Sequence, residues 1–175
     1  MKDSKTKRKI AHAFLMLRNS CLPEKIKVKD ICEIANINKT TFYNHYTDAL
    51  ELSNEIDDKI IDRIIDVFPE KLCLFESPKT YIEGLARAID REFDSLKIIF
   101  HDRVDVLCTK LETKLKNFYE NTRQTLEKQI TVSFAIGGAV GVLKDGFLEP
   151  EEKRFQEKRF SEYTSKIVTA VTGLC

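Results

Sequence analysis

The chain has 175 residues, of which 42% are apolar and 33% charged. That is enough apolar material for a hydrophobic core and enough charge to solvate long helices. With 6 glycines and 4 prolines in all, there is too little turn chemistry for a strand-and-turn protein, and the expectation is an all-α fold. The net charge of +1 hides an asymmetry, because residues 1–50 hold 10 Lys+Arg against 5 Asp+Glu, whereas residues 51–175 hold 19 against 23. An excess of cations in the N-terminal third suits a surface for an anionic polymer or membrane, though a generic solvated face would look the same.

Cys21, Cys32, Cys73, Cys108 and Cys175 are odd in number and form no CxxC pair. A disulfide scaffold is therefore not expected, which favours a reducing, cytoplasmic setting. The N-terminal MKDSKTKRK has no apolar run behind its charges and does not read as a secretory signal. The longest apolar run, Phe134–Leu143, contains three glycines and falls short of the roughly 20 residues that cross a bilayer, so no membrane partner is expected.

In chain order, a first helix is expected over residues 4–20, since Ile10, Ala13, Phe14 and Leu17 fall on one stripe. Leu22-Pro23-Glu24-Lys25 ends it. A short second helix carries Val28, Ile31 and Ala35 on one face, and Asn36, a residue that tolerates positive φ, is placed to end it in a sharp turn. Asn38 is a good N-cap for a third helix that follows at once. In that helix Phe42 and Tyr46, four apart, point inward, while Thr40, Tyr43 and Asn44 point outward. A fourth helix, over residues 48–68, steps through Leu52, Ile56, Ile60 and Ile64 and ends before Pro69. At about 30 Å it can connect a head to a more distant body.

Beyond it, Ser77-Pro78 opens a helix carrying Tyr81, Leu85, Ile89 and Phe93. Further helices are expected over 95–100, 104–118, 130–147 and 151–171. There is no internal repeat.

Two short helices joined by a tight turn make the core of a helix-turn-helix. The third helix would be the one that enters a major groove, showing Lys39, Thr40, Tyr43 and Asn44 on its outer face. Residues 8–52 resemble the DNA-binding domain of the TetR family. The likeness rests on Arg8-Lys9-Ile10, Ala13-Phe14, Val28-Lys29-Asp30-Ile31-Cys32, the run from Ala35 to Tyr46, Leu50 and Leu52. Four positions depart from the family pattern: Asn36 stands where a glycine is usual, Lys27 where a capping hydroxyl is common, and Asp48-Ala49 where a polar residue and a lysine are commoner.

The resemblance implies an N-terminal three-helix DNA-binding domain, residues 1–50, and a helical regulatory and dimerisation domain, residues 51–175. It implies that Lys39, Thr40 and Asn44, with Thr41 beside them, form the recognition surface. Tyr43 and His45 would touch phosphates and Lys27 and Lys29 would flank the backbone, with Lys5, Lys7 and Arg8 adding electrostatic grip. It further implies a homodimer on a palindromic operator of double-stranded DNA, repressing until a small-molecule effector releases it. A protein co-regulator, with the chain acting as an activator, is the alternative.

Ala135, Gly137, Gly138, Ala139 and Gly141 crowd one helix, and each helical glycine costs up to about 1 kcal/mol. Close helix approach would account for them. By the resemblance, Ala135, Gly138, Ala139 and Val142 would meet a second subunit together with Phe160, Tyr163, Ile167 and Val171 of the last helix. A hinge or close packing within one subunit is the other reading. Phe68, Tyr81, Phe100, Phe118 and Phe134 are candidates for an effector pocket, with ordinary core packing as the competing role. The histidines at 12, 45 and 101 are scattered, and no metal spacing, nucleophile elbow or phosphate loop appears. No enzyme activity, metal or cofactor is therefore expected.

Overall fold

The computed structural model describes residues 2–66, 76–120 and 125–148. Those residues form helices α1 (Lys2–Arg18), α2 (Val28–Ala35), α3 (Lys39–Tyr43), α4 (Ala49–Asp66), α5 (Pro78–Phe100), α6 (Val104–Glu120) and α7 (Leu126–Leu148). A 3-10 turn at Pro23–Lys25 stands between α1 and α2, and no strand occurs among the described residues.

The chain divides into two compact units. The first comprises Met1–Ile60 and Ser95–Asp102. Its core is the apolar stripe of α1 (Ile10, Ala13, Phe14) with Ile31 of α2, Phe42 of α3 and Leu52 of α4. Leu96, Ile99 and Phe100, at the C-terminal end of α5, are buried in the same unit. α1 ends at Arg18, and the amides of Ser20 and Cys21 both turn back to the Leu17 carbonyl at 3.1 Å.

The second unit comprises Ile61–Asp94 and Arg103–Cys175. Ile61, Ile64, Tyr81, Leu85, Leu107, Leu111, Leu115, Ile136 and Leu143 are buried in it, and α6 packs along α7. Arg63 forks onto the Glu92 carboxylate at 3.1 and 2.8 Å, and Lys144 pairs with Asp105.

Two elements differ from expectation. Residues 78–100 form one helix of 23 residues, not two. Neither glycine nor proline stands near Asp94-Ser95, and the buried positions run on from Ile89 through Leu96, Ile99 and Phe100, so nothing interrupts propagation. α7 begins at Leu126 rather than Ile130 because Thr125 caps it, its Oγ1 accepting the Lys128 amide at 3.4 Å.

The extension has a consequence for hydropathy. Leu126–Asp145, 20 residues with a mean hydropathy of 1.2, is long and apolar enough by length and composition to cross a bilayer. The unbroken apolar run is shorter because Thr131 and Ser133 interrupt it. One such helix is weak evidence for a span, since a helix with apolar residues on two faces has the same composition.

Candidate nucleic-acid interface

The α2–α3 turn is built from three residues. Asn36 takes the left-handed conformation, φ 52° and ψ 56°, the one non-glycine with positive φ among the described residues. Asn is among the few side chains that tolerate it, so Asn36 keeps the turn that glycine would make. Its amide bonds to Glu33 O at 3.2 Å, and Ile37 N bonds to Cys32 O at 3.0 Å, closing the end of α2. Asn38 is extended, and its Oδ1 accepts the Thr41 amide at 2.7 Å, a side-chain N-cap at the head of α3. Replacing Asn38 with alanine is expected to cost about 1 kcal/mol of stability, measured by urea denaturation.

α3 proper has five residues, but its turns continue, with Asn44 N to Thr40 O at 3.0 Å, His45 N to Phe42 O at 2.9 Å and Tyr46 N to Phe42 O at 3.0 Å. Phe42 is fully buried and Tyr46 nearly so, and their ring centroids lie 5.7 Å apart. The opposite face holds Lys39, Thr40 and Asn44, all exposed, with Tyr43 at 54% exposure. Thr41 and His45 are half-buried. Lys27 is the residue that caps α2 and makes no side-chain capping bond; it and Lys29 are exposed. The outer face of this short helix is thus basic, hydroxylic and amidic, matched to groove edges and phosphates.

Two features went unread in the sequence. Asp48 Oδ1 accepts the Glu51 amide at 2.7 Å, and Glu51 Oε2 accepts from Thr47 N at 2.6 Å and Thr47 Oγ1 at 2.7 Å. This double cap, close to a capping box, shows what Asp48 does at a place where a polar residue followed by a lysine is commoner: it starts α4. The Thr47 backbone and hydroxyl bonds hold the Glu51 carboxyl below the usual range. The D-x-x-E spacing was a visible signal. The second feature is Lys7, which pairs with Glu55 of α4 at 3.3 Å, while Lys5 and Arg8 are exposed.

Of the residues offered for an effector pocket, Tyr81 and Phe118 both meet the Tyr119 ring. Tyr81 is fully buried against Tyr119, with centroids 6.4 Å apart; burial pushes its phenol up to about 12, opposed by a hydrogen bond with Tyr119. Phe118 is half-buried and meets the Tyr119 ring edge-on. Phe100 is buried in the first unit. Phe134 points outward at 74% exposure. Of the residues offered for a dimer interface, Ala139 is buried, Ala135 and Val142 half-buried and Gly138 exposed. Phe68, Phe160, Tyr163, Ile167 and Val171 lie outside the described residues.

No protein-family model matches the sequence, and no curated protein matches it. Solved structures do. A transcriptional regulator of the TetR/AcrR family from Aquifex aeolicus VF5 superposes with a TM-score of 0.69 at 22% identity, over 95% of this chain and 99% of that one. The fold is that of TetR-type regulators. A TetR transcriptional regulator from Streptococcus agalactiae 2603V matches with a TM-score of 0.64 at 18% identity, over 95% of each chain. The TetR-type fold therefore takes in nearly the whole chain, well beyond the residues 8–52 that carry the resemblance in sequence.

Proposed function

We propose that the chain is a DNA-binding transcriptional regulator that reads a palindromic operator as a homodimer through α3, and represses until a small-molecule effector releases it. It works in the cytoplasm and has no enzymatic step. The observation that carries the reading is the row Lys39, Thr40, Tyr43 and Asn44, exposed on a helix whose start is fixed by the Asn38 cap and whose inner side is the buried Phe42. The Asn38 cap and the buried Phe42 and Tyr46 fix the helix so that this row is held outward. That the two structural neighbours are transcriptional regulators supports a regulatory role.

The test is selection of duplexes from a random pool by the full chain, followed by gel shift of the winning sequence. The double variant Tyr43→Ala, Asn44→Ala is expected to lose specific binding by about 100-fold, from two base or phosphate contacts of about 1–3 kcal/mol each. Its circular dichroism should be that of the wild type, because both side chains are exposed. Unchanged specific affinity in that variant refutes the assignment of α3.

A further inference from the structure

Tyr46 closes the recognition segment, and its buried ring carries a hydroxyl where the apolar contact with Phe42 needs none. That hydroxyl donates to Glu55 Oε1 at 3.2 Å. The other carboxylate oxygen of Glu55 accepts from Lys7 Nζ at 3.3 Å, and the Lys7 ammonium stands 5.1 Å from the centre of the Tyr46 ring. Lys59, one turn along α4, pairs with the same carboxylate. A closed triangle, Lys7–Tyr46–Glu55, thus joins α1, the end of the recognition segment and α4.

We propose that Glu55 is a specificity-determining positioning residue of the DNA-reading head, holding α3 through Tyr46 and withholding Lys7 from the phosphate backbone. The proposal rests on the DNA-binding reading above. A helix as short as α3 has little rigidity of its own, and its orientation comes from what it packs on. An apolar socket for Phe42 allows a ring to slide or pivot. A directional hydrogen bond from Tyr46 to a carboxylate on the long helix α4 does not.

The charge side follows from the same geometry. Non-specific affinity grows with the number of cations that reach phosphates. A lysine engaged by a carboxylate on one side and an aromatic face on the other is not offered to DNA. Glu55 is equipped to stay ionised: burial works to raise its pKa, but the hydrogen bonds and charges of Lys59 and Lys7 outweigh it and leave it lowered.

The experiment compares the full-length wild type with Tyr46→Phe and Glu55→Gln. Both substitutions are nearly isosteric. Affinity is measured for the selected operator and for random-sequence duplex across a salt series. Tyr46→Phe is expected to lose specific affinity about three- to tenfold with an unchanged salt slope. Glu55→Gln is expected to lose as much on the operator, to gain about two- to fivefold on random duplex, and to steepen the logarithmic salt slope by about one for each cation released. Amide exchange at Asn44, His45 and Tyr46 should quicken in both, while α4 stays protected. A contribution to stability alone would lower the melting temperature and leave the specificity ratio and slope in place. Both variants keeping the wild-type ratio and slope overturns the proposal. A wild type that discriminates no selected duplex from random DNA overturns the DNA-binding reading itself, and this inference with it.

Discussion

Replacing Arg18 with methionine is expected to destabilise the protein by about 3 kcal/mol, near 10 °C in melting temperature for a chain of this size. Arg18 is the last residue of α1 and is 0% exposed. Its guanidinium donates to Cys21 O at 2.8 Å, to Ile99 O at 2.8 Å, and to both carboxylate oxygens of Asp102. Ile99 is in the last turn of α5, where negative partial charge accumulates. A buried cation there complements that charge and fastens residues 95–102 into the first unit.

Methionine fills much of the volume but leaves two carbonyls and a carboxylate without their donor. The loss sits at the lower end for a broken buried pair, because the Asp102 side chain keeps 24% exposure and can rehydrate. Hydrogen exchange at residues 95–102 should rise to that of a frayed helix end. Burial works to raise the Asp102 pKa, but the hydrogen bond and charge of Arg18, with a smaller contribution from His101, hold it lowered. A carboxyl lowered by folding contributes stability above its unfolded pKa and loses it as pH falls through the folded value. The gap between wild type and Arg18→Met should therefore narrow in acid, below the ordinary aspartate range. Equal melting temperatures at neutral pH would show that the buried fork contributes nothing net.

Arg18 also marks where the sequence was legible and where it was not. The recognition segment could be read because its determinants are local: a left-handed turn residue, a cap two residues on, and an i, i+4 aromatic pair. Asn36, Asn38, Phe42 and Tyr46 all take the roles that local chemistry assigns them. Arg18 could not be read, because an arginine beside an apolar stripe is ordinarily a solvated residue, and the groups that bury it lie 81 and 84 residues away. The Lys7–Glu55 pair could not be read for the same reason, since Glu55 is 48 residues on. The unbroken α5 shows a different limit: Asp and Ser are weak helix formers, and tertiary burial of Leu96, Ile99 and Phe100 overrides them.

The second large effect is expected at α7. Leu126 at 72% exposure, Ile130 at 61% and Phe134 at 74% step by four along one face, and Gly138 continues the line. An alanine-sized side chain at Gly137, Gly138 or Gly141 would meet nothing within 4 Å. Packing within the described part of one chain therefore gives no reason for these glycines. The expectation we draw is that a second copy covers the face, with large residues at one end of the line and glycines at the other. That gradient is self-complementary about a two-fold axis, so Phe134 of one subunit can lie over the glycines of its partner.

Ile130→Glu with Phe134→Glu should then convert a dimer to a monomer. Each substitution enters a two-fold interface twice, and each glutamate would be buried without a partner. About 2 kcal/mol for each exceeds a hundredfold in the dissociation constant even before doubling. Gly138→Leu should act in the same direction by steric separation. Light scattering at micromolar concentration reads the outcome, and circular dichroism checks that the exposed positions leave the helices intact. The monomer should lose operator affinity more than affinity for random duplex, because a palindrome rewards two linked recognition helices held about 34 Å apart. A wild type that is already monomeric at those concentrations would remove the dimer from the proposed function, and leave α3 as a reader of single half-sites.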